Sequence, residues 1–120
     1  MNKHILIAED DTFLAEMMGK VLEQHGMRVT IAHDGQKALE AMENEMPDLL
    51  LLDLLMPVLD GHGVMQAMKE RHMQCLVMVV SNISDKATRD VCKEYNVKEY
   101  FVKSDMDDDA LWPAISKYLS

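Results

Sequence analysis

The chain has 120 residues, 48% hydrophobic and 28% charged, with twelve Lys and Arg against twenty-one Asp and Glu for a net charge of −9. One core fits in that length, no second domain does, and the balance excludes a disordered chain. An acidic surplus repels a phosphate backbone, no apolar run approaches the ~20 residues of a membrane span, and the start has no signal-peptide layout, so direct nucleic-acid and membrane binding are not expected.

The hydrophobic period alternates between two types along the chain. Ile5-Leu6-Ile7-Ala8 is a short apolar run that ends in acids and reads as a strand. Phe13, Leu14, Met17, Met18, Val21 and Leu22 recur at helical spacing, and Gly26 follows as a stop. Val29 to Ala32 is β-branched and strand-like. Asp34-Gly35 turns the chain into a second helix marked by Ala38, Leu39 and Met42, which stops before Pro47. Leu49 to Asp53 lies between Pro47 and Pro57, which leaves room only for a strand buried on both faces. Val64, Met65 and Met68 mark a third helix.

Leu76 to Ser81 is a fourth strand. Ser84 can cap a helix running to Tyr95, with Ala87, Val91 and Cys92 inward. Tyr100 to Val102 is a short fifth strand. Asp105 to Asp109 reads as a solvated acidic turn before a last helix carrying Leu111, Ile115, Tyr118 and Leu119. Pro113 falls inside that segment, so the helix should kink there or begin late. The twelve methionines read as adaptable core filler. Cys75 and Cys92 have neither zinc nor CxxC spacing, and two reduced thiols point to the cytoplasm. His4, His25, His33, His62 and His72 fit no metal-ligand spacing and read as surface or loop residues.

Five strand–helix alternations predict an α/β fold, doubly wound around a five-stranded parallel sheet. The flavodoxin-like order 2-1-3-4-5 fits five units with helices on both faces, and it gathers functional groups at the carboxyl ends of the central strands. Those ends carry Glu9, Asp10 and Asp11, then Asp53, Ser81 and Lys103. Glu9, Asp10 and Asp53 would form a like-charged cluster, which a hard divalent cation such as Mg²⁺ relieves. Asp11 reads instead as a helix N-cap. A carboxylate, a metal site, a lysine and a hydroxyl suit an Asp that accepts a phosphoryl group. Asp53 is then the nucleophile, with Lys103 and Ser81 on the phosphoryl oxygens.

These segments resemble the receiver domain of two-component response regulators over nearly the whole chain. Asp53-Leu54-Leu55-Met56-Pro57-Val58-Leu59-Asp60-Gly61 matches the phosphoacceptor Asp, then Met-Pro, then Asp-Gly. Ile5 to Asp11 resembles the acidic motif after the first strand. Val79-Val80-Ser81 and Tyr100-Phe101-Val102-Lys103 resemble the strands ending in a hydroxyl and in Lys. The resemblance implies one receiver domain over residues 1–120, stand-alone or cut from a larger protein. It implies that Asp53 accepts a phosphoryl group from a histidine kinase or histidine phosphotransfer protein, with Mg²⁺. The metal set is Asp10 directly, Glu9 mainly through water, Asp53, and the backbone carbonyl of Leu55. Ser81 and Tyr100 are the switch pair: the hydroxyl moves toward the phosphoryl group and the ring turns inward. A downstream protein partner then reads the fourth helix, fifth strand and fifth helix. The domain is no enzyme beyond its own phosphoryl transfer and dephosphorylation.

Two positions depart from the family pattern. Asn82 follows the switch hydroxyl where a small residue is usual, and Ser104 follows Lys103 where a proline in a cis bond is usual. A cis bond before any residue but proline costs about 3–4 kcal/mol, so the path beyond Lys103 is open. One alternative is a pseudo-receiver that binds without phosphorylation; Asp10, Asp53, Ser81 and Lys103 argue against it. The other is a small Asp-nucleophile phosphatase of the haloacid dehalogenase type. That enzyme needs Asp-x-Asp after the first strand, and Asp10-Asp11-Thr12 lacks it.

Overall fold

The computed structural model describes residues 3–83, 85–105 and 108–119. Strands β1 (His4–Ala8), β2 (Arg28–Ala32), β3 (Leu49–Leu52), β4 (Leu76–Ser81) and β5 (Val97–Val102) alternate with helices α1 (Thr12–Gln24), α2 (Gly35–Asn44), α3 (Gly61–Glu70), α4 (Lys86–Glu94) and α5 (Asp108–Ser116). All strand pairs are parallel, and the order is β2-β1-β3-β4-β5. Among the described residues no helix is long and apolar enough to cross a membrane.

Alternation along the strands divides the core in two. Leu6, Leu50, Leu52, Val77 and Val79 face one side, with Leu39 and Met42 of α2, Val64 and Met65 of α3 and Cys92 of α4. Ile5, Ile7, Leu49, Leu51, Met78 and Val80 face the other, with Met18 and Leu22 of α1 and Leu111 and Ile115 of α5. Both faces of β3 are covered, which is why its four leucines show no polar alternation. Truncating one of them to Ala would cost about 2–5 kcal/mol.

The loops at the carboxyl edge share one device. Asp11, Asp34, Asp60 and Asp85 are N-caps, each accepting the backbone N–H three residues on. Each such cap contributes about 1 kcal/mol and ties the helix start to the strand end before it. The cap of α4 is Asp85; the expected cap, Ser84, lies outside the described residues. Gly61 opens α3 hard against β3. A Cβ there would stand 2.5 Å from the Asp53 carbonyl oxygen, so only glycine lets α3 begin that close.

Several expectations are corrected. Phe13 opens the α1 stripe but is 72% exposed, and the buried face of α1 begins at Ala15. Ala87 is exposed, since the inward face of α4 begins one turn later, at Val91 and Cys92. Strand β5 starts at Val97, three residues before the expected Tyr100. The polar Lys98 and Glu99 hid that start, and a register shift in the β4 pairing falls beside them. Helix α5 is not delayed by Pro113: it begins at Asp108, five residues earlier, and runs through the proline. There the ring forfeits one bond, to the Asp109 carbonyl, early in the helix.

His4 is the largest correction: it is buried in β1, not at the surface. Its Nε2 lies 2.8 Å from Thr30 Oγ1 on β2, and Nδ1 lies 3.7 Å from Glu45 without a hydrogen-bond partner. Burial, helped by Arg28 and opposed by Glu45 and Asp48, holds the imidazole below its ordinary value of 6.5. A folded state that prefers neutral His4 takes up the proton later than the unfolded chain. The stabilisation is therefore complete above pH 6.5 and is lost as the pH falls below it, at up to about 1.4 kcal/mol per unit crossed. Urea unfolding at pH 7.5, 6.5 and 5.5 should show the parent losing stability faster toward acid than His4→Gln. Carboxylates common to both proteins cancel in that comparison, and parallel curves would refute the assignment.

Candidate functional site

The site forms where β1, β3, β4 and β5 end side by side. The Asp53 N–H donates to the Ala8 carbonyl at 2.9 Å, one step past the β1–β3 ladder. That step sets Asp53 beside the acids following Ala8. Glu9, Asp10 and Asp53 each offer a carboxylate oxygen, and these oxygens lie within 4.8 Å of one another. Glu9 and Asp53 are buried, while Asp10 is exposed. Asp11 turns away, accepting the Leu14 N–H as N-cap, as expected.

Lys103 follows β5 and reaches back into the cluster. Its Nζ donates to Asp53 Oδ2 at 3.0 Å and lies 2.7 Å from Glu9 Oε1. The Glu9 contact is a close, buried ion pair, so the ammonium is the partner of Oε1. Burial pushes the Glu9 carboxyl up to about 7, against the pull of Lys103 and the Asp11 N–H. Burial disfavours the Lys103 ammonium, but Glu9 and Asp53 outweigh it and raise its affinity for the proton.

The donor set fits a hard divalent cation. Three carboxylates and one ammonium leave two negative charges when all are ionised, and two of the carboxylates are buried. The Leu55 N–H donates to Asp53 Oδ1 at 3.3 Å, which places the Leu55 backbone beside the same carboxylate.

Ser81 is fully buried at the end of β4, and its Oγ accepts the Ile83 N–H at 3.3 Å. Tyr100 is half-buried on β5, and its hydroxyl donates to the Ile83 carbonyl. The Arg89 guanidinium lies over the Tyr100 ring, 4.6 Å from its centre. Both members of the expected switch pair are thus tied to one residue, Ile83.

Beyond Lys103 the chain enters a 3-10 turn, Lys103–Asp105. No described peptide bond is cis, so Lys103–Ser104 is trans. The Ser104 N–H donates to Asn82 Oδ1 at 3.0 Å. Sequence reasoning marked both positions but gave neither a role. It also missed His33, whose Nδ1 lies 3.0 Å from the Glu9 carbonyl oxygen, and no spacing signal joins them.

Residues 5–116 match the response regulator receiver domain family. The chain is 36% identical over 85 residues to the transcriptional regulatory protein CpxR of Escherichia coli K12, covering 71% of this chain and 36% of that protein. It is 29% identical over 103 residues to the alkaline phosphatase synthesis transcriptional regulatory protein PhoP of Bacillus subtilis, covering 86% of this chain and 43% of that one. The chain therefore spans about two-fifths of the length of these relatives. A CheY-like response regulator receiver domain protein from Methanospirillum hungatei superposes with a TM-score of 0.91 at 24% identity, covering 99% of this chain and 94% of that one, and this likeness concerns the fold. The chain belongs to the response regulator receiver domain family, whose members act as phosphoacceptor switches in two-component signalling.

Proposed function

We propose that Asp53 is the phosphoacceptor of this domain and that Mg²⁺ is held by Glu9, Asp10, Asp53 and the Leu55 carbonyl. The observation that carries this reading is Lys103 Nζ between Glu9 and Asp53, 2.7 and 3.0 Å away, inside a cluster of three carboxylates. When bound, the metal supplies positive charge against the phosphoryl oxygens. The donor is a histidine kinase or histidine phosphotransfer protein. An Asp53 oxygen attacks phosphorus, and the phosphorus–nitrogen bond of the donor breaks. Lys103 neutralises a phosphoryl oxygen, and Ser81 donates its hydroxyl to another.

The turn of Ser81 toward the phosphoryl group carries the signal outward. Its Oγ then leaves the Ile83 N–H, and Tyr100 holds the carbonyl of that same residue. A change at Ser81 thereby reaches α4, β5 and α5, where a downstream protein partner docks. Neither nucleic acid nor membrane is a direct partner. The domain turns over no free substrate and works in the cytoplasm, where its two free thiols stay reduced.

Intact mass after incubation with a small phosphodonor tests the proposal. One phosphoryl adduct is expected with Mg²⁺ and little or none with a chelator. Equal yield in both arms would overturn the metal site, and turnover of a generic phosphate ester would overturn the non-enzymatic reading.

A further inference from the structure

The β4–β5 ladder ends at the pair Ser81 and Val102. One residue further along each strand, the backbones no longer pair. A side chain spans the gap instead, with the Ser104 N–H donating to Asn82 Oδ1 at 3.0 Å. This bond is an extra rung on a ladder whose backbone rungs have run out. It brackets Lys103, since Val102 is held by β4 on one side and Ser104 by Asn82 on the other. Lysine has a flexible four-carbon stem, so where its ammonium rests depends on how firmly its backbone is held.

The rung needs both residues. Proline at 104 would have no N–H to donate, and a small apolar residue at 82 would have no oxygen to accept it. The two positions where the chain departs from the usual receiver pattern are therefore one interaction.

We propose that Asn82 is a positioning residue for phosphoryl transfer. Its carboxamide holds the Lys103–Ser104 backbone so that the ammonium stays between Glu9 and Asp53. This inference rests on the reading of Asp53 as phosphoacceptor. It adds that the β4–α4 loop, which carries Asn82 and Ile83, and the loop after β5 are held as one unit around Lys103.

The experiment follows phosphorylation of the whole chain by a small phosphodonor with Mg²⁺, alongside the NMR signal of the Lys103 ammonium nitrogen. Asn82→Ala should slow phosphorylation by about threefold to tenfold, the range of one lost hydrogen bond. Ser104→Pro should slow it by a similar factor, and the double variant should lose no more than either single one. The Lys103 nitrogen signal should shift or broaden in each variant. A bond that merely ties two loops would leave that signal where it is. If Ser104→Pro fails to fold, Asn82→Ala decides alone by its rate and its Lys103 signal. A parental rate or an unmoved Lys103 signal in Asn82→Ala overturns the inference while leaving the Asp53 reading intact. A parent that takes up no phosphoryl group overturns both.

Discussion

Asp53→Asn should abolish the phosphoryl adduct, lowering its rate of formation by more than roughly a hundredfold. The amide has no anionic oxygen to attack phosphorus. It also removes one of the three carboxylates and a partner of Lys103, which stands 3.0 Å away. The fold should survive, because Lys103 keeps Glu9 and the four leucines of β3 are untouched. Asp10→Asn should weaken the reaction without ending it. Asp10 is the exposed member of the cluster, so its loss should raise the Mg²⁺ concentration needed for half-maximal yield. Intact mass against Mg²⁺ concentration reads both effects. An adduct at full yield on Asp53→Asn would move the acceptor elsewhere.

The architecture was legible because each element carried its own punctuation. Two prolines around four leucines leave room only for a buried strand, and five alternations restrict the sheet to few orders. Once the order is set, Glu9, Asp10, Asp53, Ser81 and Lys103 stand at neighbouring strand ends without further assumption. What failed had no local signal. His4 looks like a polar residue before an apolar run, and only its pairing with Arg28 and its approach to Thr30 bury it. Phe13 obeys the helical period, but how far along α1 the buried face begins depends on where the helix sits. The Asn82–Ser104 rung joins loop residues twenty-two positions apart, and neither has a periodic partner. The Tyr100 ring position is a rotamer, decided by the Ile83 carbonyl and by Arg89 rather than by spacing.

The phosphoryl group on Asp53 should be long-lived. Its hydrolysis needs a water in line with the bond between Asp53 and phosphorus. In receiver domains the residues two beyond the acceptor and two beyond the switch hydroxyl flank that approach, and here those positions are Leu55 and Ile83. Both line one cavity of about 290 Å³, with Leu54, Met65 and Val91 among its other walls. Their side chains offer neither donor nor acceptor, so neither can orient a water, and two bulky apolar groups beside the acceptor would exclude one. Leu55 is 61% exposed, which leaves a competing arrangement in which it faces a partner and the water path stays open. The decay rate of the phosphorylated protein separates the two. Leu55→Asn and Ile83→Glu each introduce a group that can hold a water, and each should speed decay on the order of tenfold to a hundredfold. The backbone bonds of both residues, to Asp53 and to Ser81, do not depend on the side chain, so the acceptor and switch stay in place. Polar variants that decay no faster than the parent would mean that water exclusion by this pair does not set the lifetime.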